Sequence, residues 1–324
     1  MATVTRYVDP GAGGAANGTS WTDAYTSLSA WQTAEATNLV SDGDEHIVYV
    51  RGAVGSSGIA IGTGWTTGAS NTLTIEGNWG GGAWDDSASR MVKTSDWAWT
   101  DLAVGYITIK NMQFKNAASD SRPTLRIATG SATGIVFVNC LWADSPTTHV
   151  DIQNDGTSYF INCASYNSGG EGFYVPETGS GTTAYMYNCV ALNATTHGFR
   201  VDAWRTMHCK NCYDDGDTAG FLGSTNSTFS ATTCASSDGS ESTTTVAMAT
   251  GSGAYFTNVT AGSEDATIGE SSSLASGGTD LSADGTYAFD YDWEGETRSD
   301  WSIGPDEISV ASYTLPHYIY GDGA

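Results

Sequence analysis

The octapeptide SYFINCAS at residues 158–165 contains a pattern that returns along the chain. An Asn followed by a Cys occurs as VNC at 138–140, INC at 161–163, YNC at 187–189 and KNC at 210–212. The cysteines of these motifs are 23, 26 and 23 residues apart, and another follows after 22 residues. Cysteines in such a series could be disulfide partners, metal ligands, a redox pair or core residues. The register of the repeat decides between these interpretations.

Two further series keep the same irregular spacing. The first marks the starts of short alternating runs, with gaps of 25, 23, 26, 22 and 25 residues: Leu125, Val150, Phe173, Phe199, Phe221 and Val246. The second precedes the Cys positions by three residues: Ile109, Phe137, Phe160, Met186 and Cys209. The alternation is typical of strands that bury one face. With Met112 upstream and Val259 downstream, the markers predict seven turns of about 25 residues.

We therefore predict an all-β protein, a right-handed parallel β-helix in which each strand pairs with its copy one turn later, about 4.8 Å away. Phe173, Phe199 and Phe221 would stack in one sheet. Asn tolerates the left-handed backbone conformation and its amide can bond to the next Asn, so it suits a corner between two sheets. The predicted corner residues are Asn139, Asn162, Asn188 and Asn211.

In this register the cysteines are core residues. HCKNC at 208–212 resembles a metal or redox CxxC motif, but Cys209 falls in the Phe137 series and Cys212 in the Cys series, with an Asn corner between them. Neighbouring rungs lie within disulfide reach, although a cytoplasmic origin disfavours disulfides. We predict a stack of buried free thiols: Cys140, Cys163, Cys189, Cys212 and Cys234.

The repeat divides the chain into an N-terminal strand and capping helix at 1–45, a β-helix body at 46–262, and a C-terminal loop-rich cap and tail at 263–324. Residues 20–37 predict the helix, with Ser20 and Asp23 in a pattern like a capping box. Its apolar face would cover the open end of the first rung. The predicted covering residues are Trp21, Tyr25, Leu28 and Trp31.

Charge and hydropathy exclude several classes of protein. Acidic residues number 36 against 12 basic, a net charge of −24, which argues against nucleic acid as a partner. No apolar run is long enough to span a membrane, and the start has no recognisable export signal. The acidic residues Asp290, Asp292 and Glu294 suggest calcium, but an EF-hand loop fails because its twelfth position would be Trp301. We therefore predict no cofactor, with calcium binding by these carboxylates as the alternative.

The chain resembles the pectate-lyase-like right-handed β-helix proteins of bacteria and phages. YVDPGAGGAANGTSWTDAYTSLSAW at 7–31 is similar to the opening of that group, and DWEGETRSDWSIGPDE at 292–307 is similar to its closing pattern. The residues that match the closing pattern are Asp292, Gly295, Arg298, Ile303, Gly304, Asp306 and Glu307. The group includes polysaccharide lyases and hydrolases, adhesins and phage surface proteins. The resemblance therefore implies the fold and leaves the activity open.

If the chain is an enzyme, its site is expected on an outer sheet face, where an acid, a base and a cation could converge: Asp151, Arg200, Glu171 and His197. The alternative is that these are ordinary solvated positions, because Tyr174 occupies the place next to Asp151 where an inverting hydrolase would need a second acid. Tyr174 could instead stack on a sugar ring without chemistry.

Three functions remain. The preferred one is a non-enzymatic protein of a virus particle, such as a capsid decoration protein, head fibre or tail component, assembled in the host cytoplasm. Its partners would be other virion proteins and a host surface glycan, and it could form a homo-oligomer. A polysaccharide-degrading enzyme and an extracellular bacterial adhesin are the alternatives. The aromatic tail would provide attachment, through Tyr313, Tyr318 and Tyr320.

Overall fold

The computed structural model describes residues 1–55, 60–94, 100–102, 104–119, 121–127, 133–178, 181–215, 220–236, 255–269 and 272–308. Within these ranges the chain forms a right-handed solenoid of about seven turns of about 26 residues each. Three parallel sheets recur in the same order in successive turns. The prediction of an all-β parallel β-helix is therefore confirmed. No helix in the described part is long and apolar enough to cross a membrane.

Strands are numbered in chain order. The nine-stranded sheet contains β1 (Thr3–Val8), β2 (Glu45–Val50), β5 (Leu73–Glu76), β8 (Ile107–Lys110), β11 (Ile135–Val138), β14 (Thr157–Ile161), β17 (Thr183–Tyr187), β20 (Thr206–Lys210) and β23 (Thr228–Thr232). The eight-stranded sheet contains β3 (Ala53–Gly55), β6 (Arg90–Lys93), β9 (Gln113–Asn116), β12 (Leu141–Ser145), β15 (Ala164–Ser168), β18 (Val190–Leu192), β21 (Tyr213–Asp214) and β24 (Ala235–Ser236). The seven-stranded sheet contains β4 (Ala60–Ile61), β7 (Thr100–Leu102), β10 (Leu125–Ile127), β13 (Val150–Ile152), β16 (Phe173–Val175), β19 (Phe199–Val201) and β22 (Phe221–Gly223).

The three predicted ladders stack in register. Phe137 pairs with Phe160, and the series continues through Met186 to Cys209. In the seven-stranded sheet the rings of Phe173, Phe199 and Phe221 stack with centroids 5.3 and 4.9 Å apart. Like side chains therefore repeat inside the coil at every turn, which buries a continuous apolar core.

The Asn residues turn the chain between the nine-stranded and eight-stranded sheets. Asn139, Asn162, Asn188 and Asn211 have φ values of 51, 51, 54 and 54°. The Asn162 amide donates to Asn139 Oδ1 at 3.2 Å, and Asn139 donates to Asn111 Oδ1 at the same distance. This position therefore combines a left-handed backbone with a ladder of amide hydrogen bonds, as the sequence predicts.

The six cysteines are buried free thiols. Cys163 Sγ lies 3.3 Å from the carbonyl oxygen of Ile161, and the residue is fully buried in the core. Burial raises the pKa of the Cys163, Cys189 and Cys234 thiols well above its usual value. These thiols are therefore protonated and unreactive in the folded protein.

The N-terminal helix is shorter than predicted and covers the end of the coil with fewer residues. Helix α1 spans Leu28–Glu35 and helix α2 spans Leu39–Asp42. Ser27 caps α1 by accepting from the Ala30 N–H at 3.1 Å, whereas Ser20 and Asp23 form only a local turn. Assignment of the helix start to Ser20 was wrong because this Ser–Asp pair satisfies its own loop.

Tyr25, Leu28 and Trp31 are buried in the core of the coil. Trp21 is not part of this cover, which corrects the prediction: it is partly exposed and lies against Tyr7 and the Arg51 guanidinium. On α1, the Gln32 amide donates to Ala60 O at 3.0 Å and accepts from Gly62 N–H at 2.8 Å. The helix thereby also hydrogen-bonds to backbone groups at β4, the edge strand of the seven-stranded sheet.

His46 makes the stability of this end dependent on pH. Its Nε2 accepts a hydrogen bond from Trp31 Nε1 at 3.2 Å, and burial lowers its pKa from 6.5 to about 4. Because the folded pKa lies below the unfolded one, the stabilisation is complete above pH 6.5 and is lost as the pH falls through about 4. We expect His46 to account for about 3 kcal/mol of acid destabilisation.

Urea unfolding of the parent and of His46→Gln from neutral to acidic pH tests this expectation. Glutamine can accept from Trp31 but does not titrate, so the parent should lose more stability than the variant as the pH falls. A difference between the two proteins that stays constant with pH would contradict the assignment.

The C-terminal segment, defined here as residues 255–308, lies along the side of the coil. Its strands β25 (Phe256–Asn258) and β26 (Asp265–Ile268) form an antiparallel hairpin. The predicted rung at Val259 is therefore wrong, and the described parallel strands end at Ser236. The predicted run beginning at Val246 lies outside the described residues.

This segment covers the outer face of the eight-stranded sheet. Its buried apolar side chains pack on those of the sheet in one cluster, with Leu141, Ala164, Val190 and Tyr213 on the sheet and Phe256, Ile268, Leu274, Trp293 and Ile303 on the segment. Trp79, in the loop between β5 and β6, packs edge to face on Trp293, with the ring centroids 5.7 Å apart. The region predicted as an end cap is thus a lateral cover of the solenoid.

Candidate functional site

The candidate catalytic residues lie on the outer face of the seven-stranded sheet. Its strands pair in register, so each turn contributes one outward side chain to a single column. The column reads Asp101, Arg126, Asp151, Tyr174, Arg200 and Leu222. Asp151 and Arg200 are therefore two rungs apart, with Tyr174 between them, as the sequence predicts.

Asp151 is buried, with 9% of its surface exposed. Its Oδ2 accepts from the Gln153 amide at 2.6 Å, and its Oδ1 has no hydrogen-bond partner in the described structure. Burial raises the pKa of this carboxyl to about 6, opposed by Gln153 and Arg126 and assisted by the charge of Glu171. Asp151 has the proton affinity of a general acid but little surface through which a substrate could reach it.

The other charged groups of this face are joined in ion pairs. Arg200 donates to Glu171 at 2.8 Å and to Asp202 at 3.1 Å. The second oxygen of Glu171 accepts from the Thr148 hydroxyl at 2.7 Å. Only 13% of the Glu171 side chain and 17% of the Asp202 side chain are exposed. The structure thus brings Glu171 and Arg200 together, but as partners of one another.

Contacts within the protein occupy part of the Tyr174 side chain. The Arg200 guanidinium lies over the ring, 4.9 Å from its centroid, and the hydroxyl donates to Asp202. One face of the ring and its polar end are therefore used within the protein, which argues against the stacking role considered from the sequence.

The two histidines near this face differ in position. His197 is half-buried, and burial together with the charge of Arg200 lowers its pKa, so it is neutral at neutral pH. His149 is fully buried and its Nδ1 is paired with the Ser165 hydroxyl at 2.7 Å. Only His197 is placed where it could exchange a proton with a ligand on the outer face.

A second group of titratable residues lies in the C-terminal segment. Carboxylate oxygens of Asp292, Glu294 and Asp306 lie within 4.8 Å of one another. Asp290, which the sequence suggested as a member, instead contributes its backbone oxygen to the Arg298 N–H at 2.7 Å. Burial raises the pKa of Asp292 to about 6. Desolvation and the charges of Asp306 and Asp292 raise the pKa of Glu294 to about 9, although its side chain reaches the surface, so Glu294 holds a proton at neutral pH unless a cation replaces it. These oxygens have the chemistry that calcium or magnesium takes.

Three features of these surfaces were not predicted from the sequence. Asp101 pairs with Arg126 through two bonds of 2.8 Å, and Asp202 pairs with Arg200. The spacing of the repeat could have placed Asp101 on this face, because Asp101 lies one turn before Arg126. The third is Trp204, which occupies a turn position held by Gly181 and Asn226 in the neighbouring rungs. The predicted attachment residues Tyr313, Tyr318 and Tyr320 lie outside the described residues.

Residues 57–236 match the family described as right-handed beta helix region, and the chain belongs to that family. This agrees with the resemblance to pectate-lyase-like β-helix proteins at the level of the fold. One solved structure that is similar to the chain is a rhamnogalacturonan lyase. It shares 14% sequence identity, with 72% of this chain and 68% of that chain covered and a TM-score of 0.45. No curated protein sequence matches the chain.

Proposed function

We propose that the protein is a rigid, non-catalytic structural element on the surface of a virus particle, as a capsid decoration protein, head fibre or tail component. In this role it contacts other virion proteins, and its solenoid acts as a spacer or cover. The β-helix group that the chain resembles includes phage surface proteins, so this role is one that the fold is known to serve.

The observation that carries the non-catalytic part is the closed state of the outer charged face. Glycosidic hydrolysis needs two carboxyl groups that reach the substrate from a suitable distance. Here Asp151 is buried beside Gln153, and Glu171 is bonded through both oxygens to Arg200 and Thr148. These groups hold adjacent rungs together, which is a structural use of charge.

The covering of the coil also favours a structural role. The C-terminal segment occupies the outer face of the eight-stranded sheet, and α1 covers the N-terminal end of the core. The remaining exterior is acidic, with a net charge of −24, and such a charge keeps particles dispersed. A solenoid with a repulsive surface fits a component that a particle displays in many copies.

Particle association tests the proposal. Virus particles whose genome encodes the protein are purified on a density gradient. Mass spectrometry should find the protein in them at a fixed copy number per particle. Added full-length protein should bind particles that lack it, whereas a chain ending at residue 308 should remain folded and fail to bind. Recovery of the protein only in the particle-free fraction would contradict the proposal.

A further inference from the structure

Trp204 is an aromatic side chain that the fold leaves open to solvent. It lies in the turn between β19 and β20, and 67% of its surface is exposed. Among the residues that the structure describes, the other exposed large apolar side chains are Met1 and Val40. Met1 is the first residue and Val40 belongs to the short helix α2, so Trp204 is the exposed aromatic residue of the rigid coil.

The backbone at this position does not favour a tryptophan. Trp204 has a φ of 65°, in the left-handed region that large side chains rarely adopt. The residues at the same place in the neighbouring turns are Gly181 and Asn226, with φ values of 86 and 67°. Glycine and asparagine accept this conformation readily. Since neither burial nor backbone geometry accounts for Trp204, the outlier points to a function.

The base of the tryptophan is firmly held. Its N–H donates to the Asn226 carbonyl at 3.0 Å, and its own carbonyl accepts from Arg205 at 2.9 Å. The Arg205 guanidinium is buried and also donates to the Glu177 carbonyl at 2.6 Å. The indole is therefore presented from a fixed position, which reduces the entropy lost when a ligand binds.

The surface beside the indole is polar and open. A column of outward threonines runs along the nine-stranded sheet next to this turn, one per rung at about 4.8 Å: Thr157, Thr183, Thr206 and Thr228. On the preceding rung Gly181 has no side chain, and a methyl group added there would lie more than 4 Å from the other residues that the structure describes, its chain neighbours aside. The turn that carries the exposed indole therefore leads directly into a strand that begins with one of these hydroxyls, Thr206.

We infer that Trp204 anchors a binding subsite for a neutral glycan, with one sugar ring stacked on the indole and the chain running along the threonine column. A sugar ring has an apolar C–H face and a rim of hydroxyls, which matches an aromatic surface bordered by polar groups. The rung spacing is close to the length of one sugar unit. Asp202 and the net charge of −24 disfavour an acidic glycan.

A protein partner fits this surface less well. Stable protein interfaces bury about 800 Å² per partner around an apolar centre. Here the turn of Trp204 and the neighbouring rung offer a hydroxyl, an amide and a carboxylate beside a single exposed ring, from Thr206, Asn226 and Asp202. The glycan site does not depend on the proposed place of the protein on a particle, and binding there involves no bond cleavage.

Calorimetric titration with neutral hexasaccharides of glucose, mannose, galactose and N-acetylglucosamine, and with oligogalacturonate as the acidic probe, tests the inference. Trp204→Asn introduces the residue of the next rung, so its thermal midpoint should equal or exceed that of the parent. We expect at least one neutral probe to bind the parent and to bind Trp204→Asn at least 10-fold more weakly. The matched control Val40→Asn, which removes an exposed apolar group elsewhere, should bind like the parent.

Absence of binding by every neutral probe, preference for oligogalacturonate, or equal affinity of Trp204→Asn would overturn the glycan site. Loss of particle association in Trp204→Asn without any glycan binding would also overturn it in favour of a protein contact. If the glycan site alone fails, Trp204→Asn still associates with particles, so the two proposals fail separately.

Discussion

Replacing Trp31 by alanine is expected to lower the free energy of unfolding by about 3–5 kcal/mol. The side chain is 1% exposed and fills the end of the core against Trp65 and His46, with ring centroids 5.4 and 5.7 Å away. Its removal leaves a cavity and exposes a coil end that can pair with other chains. Urea unfolding and light scattering measure the two consequences.

Trp21→Ala is the matched control for this prediction. Trp21 is partly exposed and lies on the outer surface, where its main contacts are Tyr7 and the Arg51 guanidinium 4.5 Å from its ring. Contacts of this kind contribute about 1 kcal/mol. Equal losses of stability in the two variants would show that Trp31 does not close the coil.

Replacing Arg298 by methionine is expected to destabilise the docked C-terminal segment by about 3–5 kcal/mol, the cost of breaking a buried charged network. Arg298 is 6% exposed and donates to the carbonyl oxygens of Pro305 at 2.6 Å and Tyr291 at 3.1 Å. It also donates to Asn162 Oδ1 at 3.3 Å and lies against the Asn188 amide, whose oxygen can accept from it at 3.1–3.2 Å. One side chain therefore joins the segment to the Asn corner of the coil.

Limited proteolysis, together with denaturant unfolding, measures this effect. Arg298→Met should be cleaved rapidly between residues 255 and 308, while the strands up to Ser236 remain protected. Arg51→Met is the control, because its ion pair with Asp9 is on the surface and 47% of the Arg51 side chain is exposed, so a loss of at most about 1 kcal/mol is expected. Resistance of Arg298→Met to protease equal to that of Arg51→Met would contradict the role of Arg298.

The coil itself could be predicted because stacking repeats the same residue types at one spacing. Phe173, Phe199 and Phe221 occupy equivalent places, and the left-handed Asn corner restricts the residues allowed there. The C-terminal segment has no repeat, so nothing in the sequence indicated that Trp293 would contact Trp79 on the outer face of the eight-stranded sheet. Val259 matched the Asn-containing pattern by composition, although its segment forms an antiparallel hairpin.

The position of the candidate site could be predicted from the sequence, but whether its charged groups are open to a ligand could not. Alternation assigned Asp151 and Arg200 to the outer face, and the register places them there. Whether a carboxylate on that face is open depends on contacts between turns, such as Arg200 with Glu171, which side-chain spacing along the chain does not specify. Trp204 could have been identified only by aligning the turns, because its equivalents Gly181 and Asn226 are residues that favour a left-handed backbone and tryptophan is not.

Glycan cleavage is the most direct measurement of whether the outer charged face is catalytic. The purified full-length protein, incubated at high concentration with neutral and acidic polysaccharides with and without added calcium, is assayed for new reducing ends and unsaturated uronates. If the protein is non-catalytic, there should be no release above the protein-free control and no difference between the parent and Asp151→Asn. Release by the parent that disappears in Asp151→Asn would show that the face is an active site and would contradict the structural role proposed here.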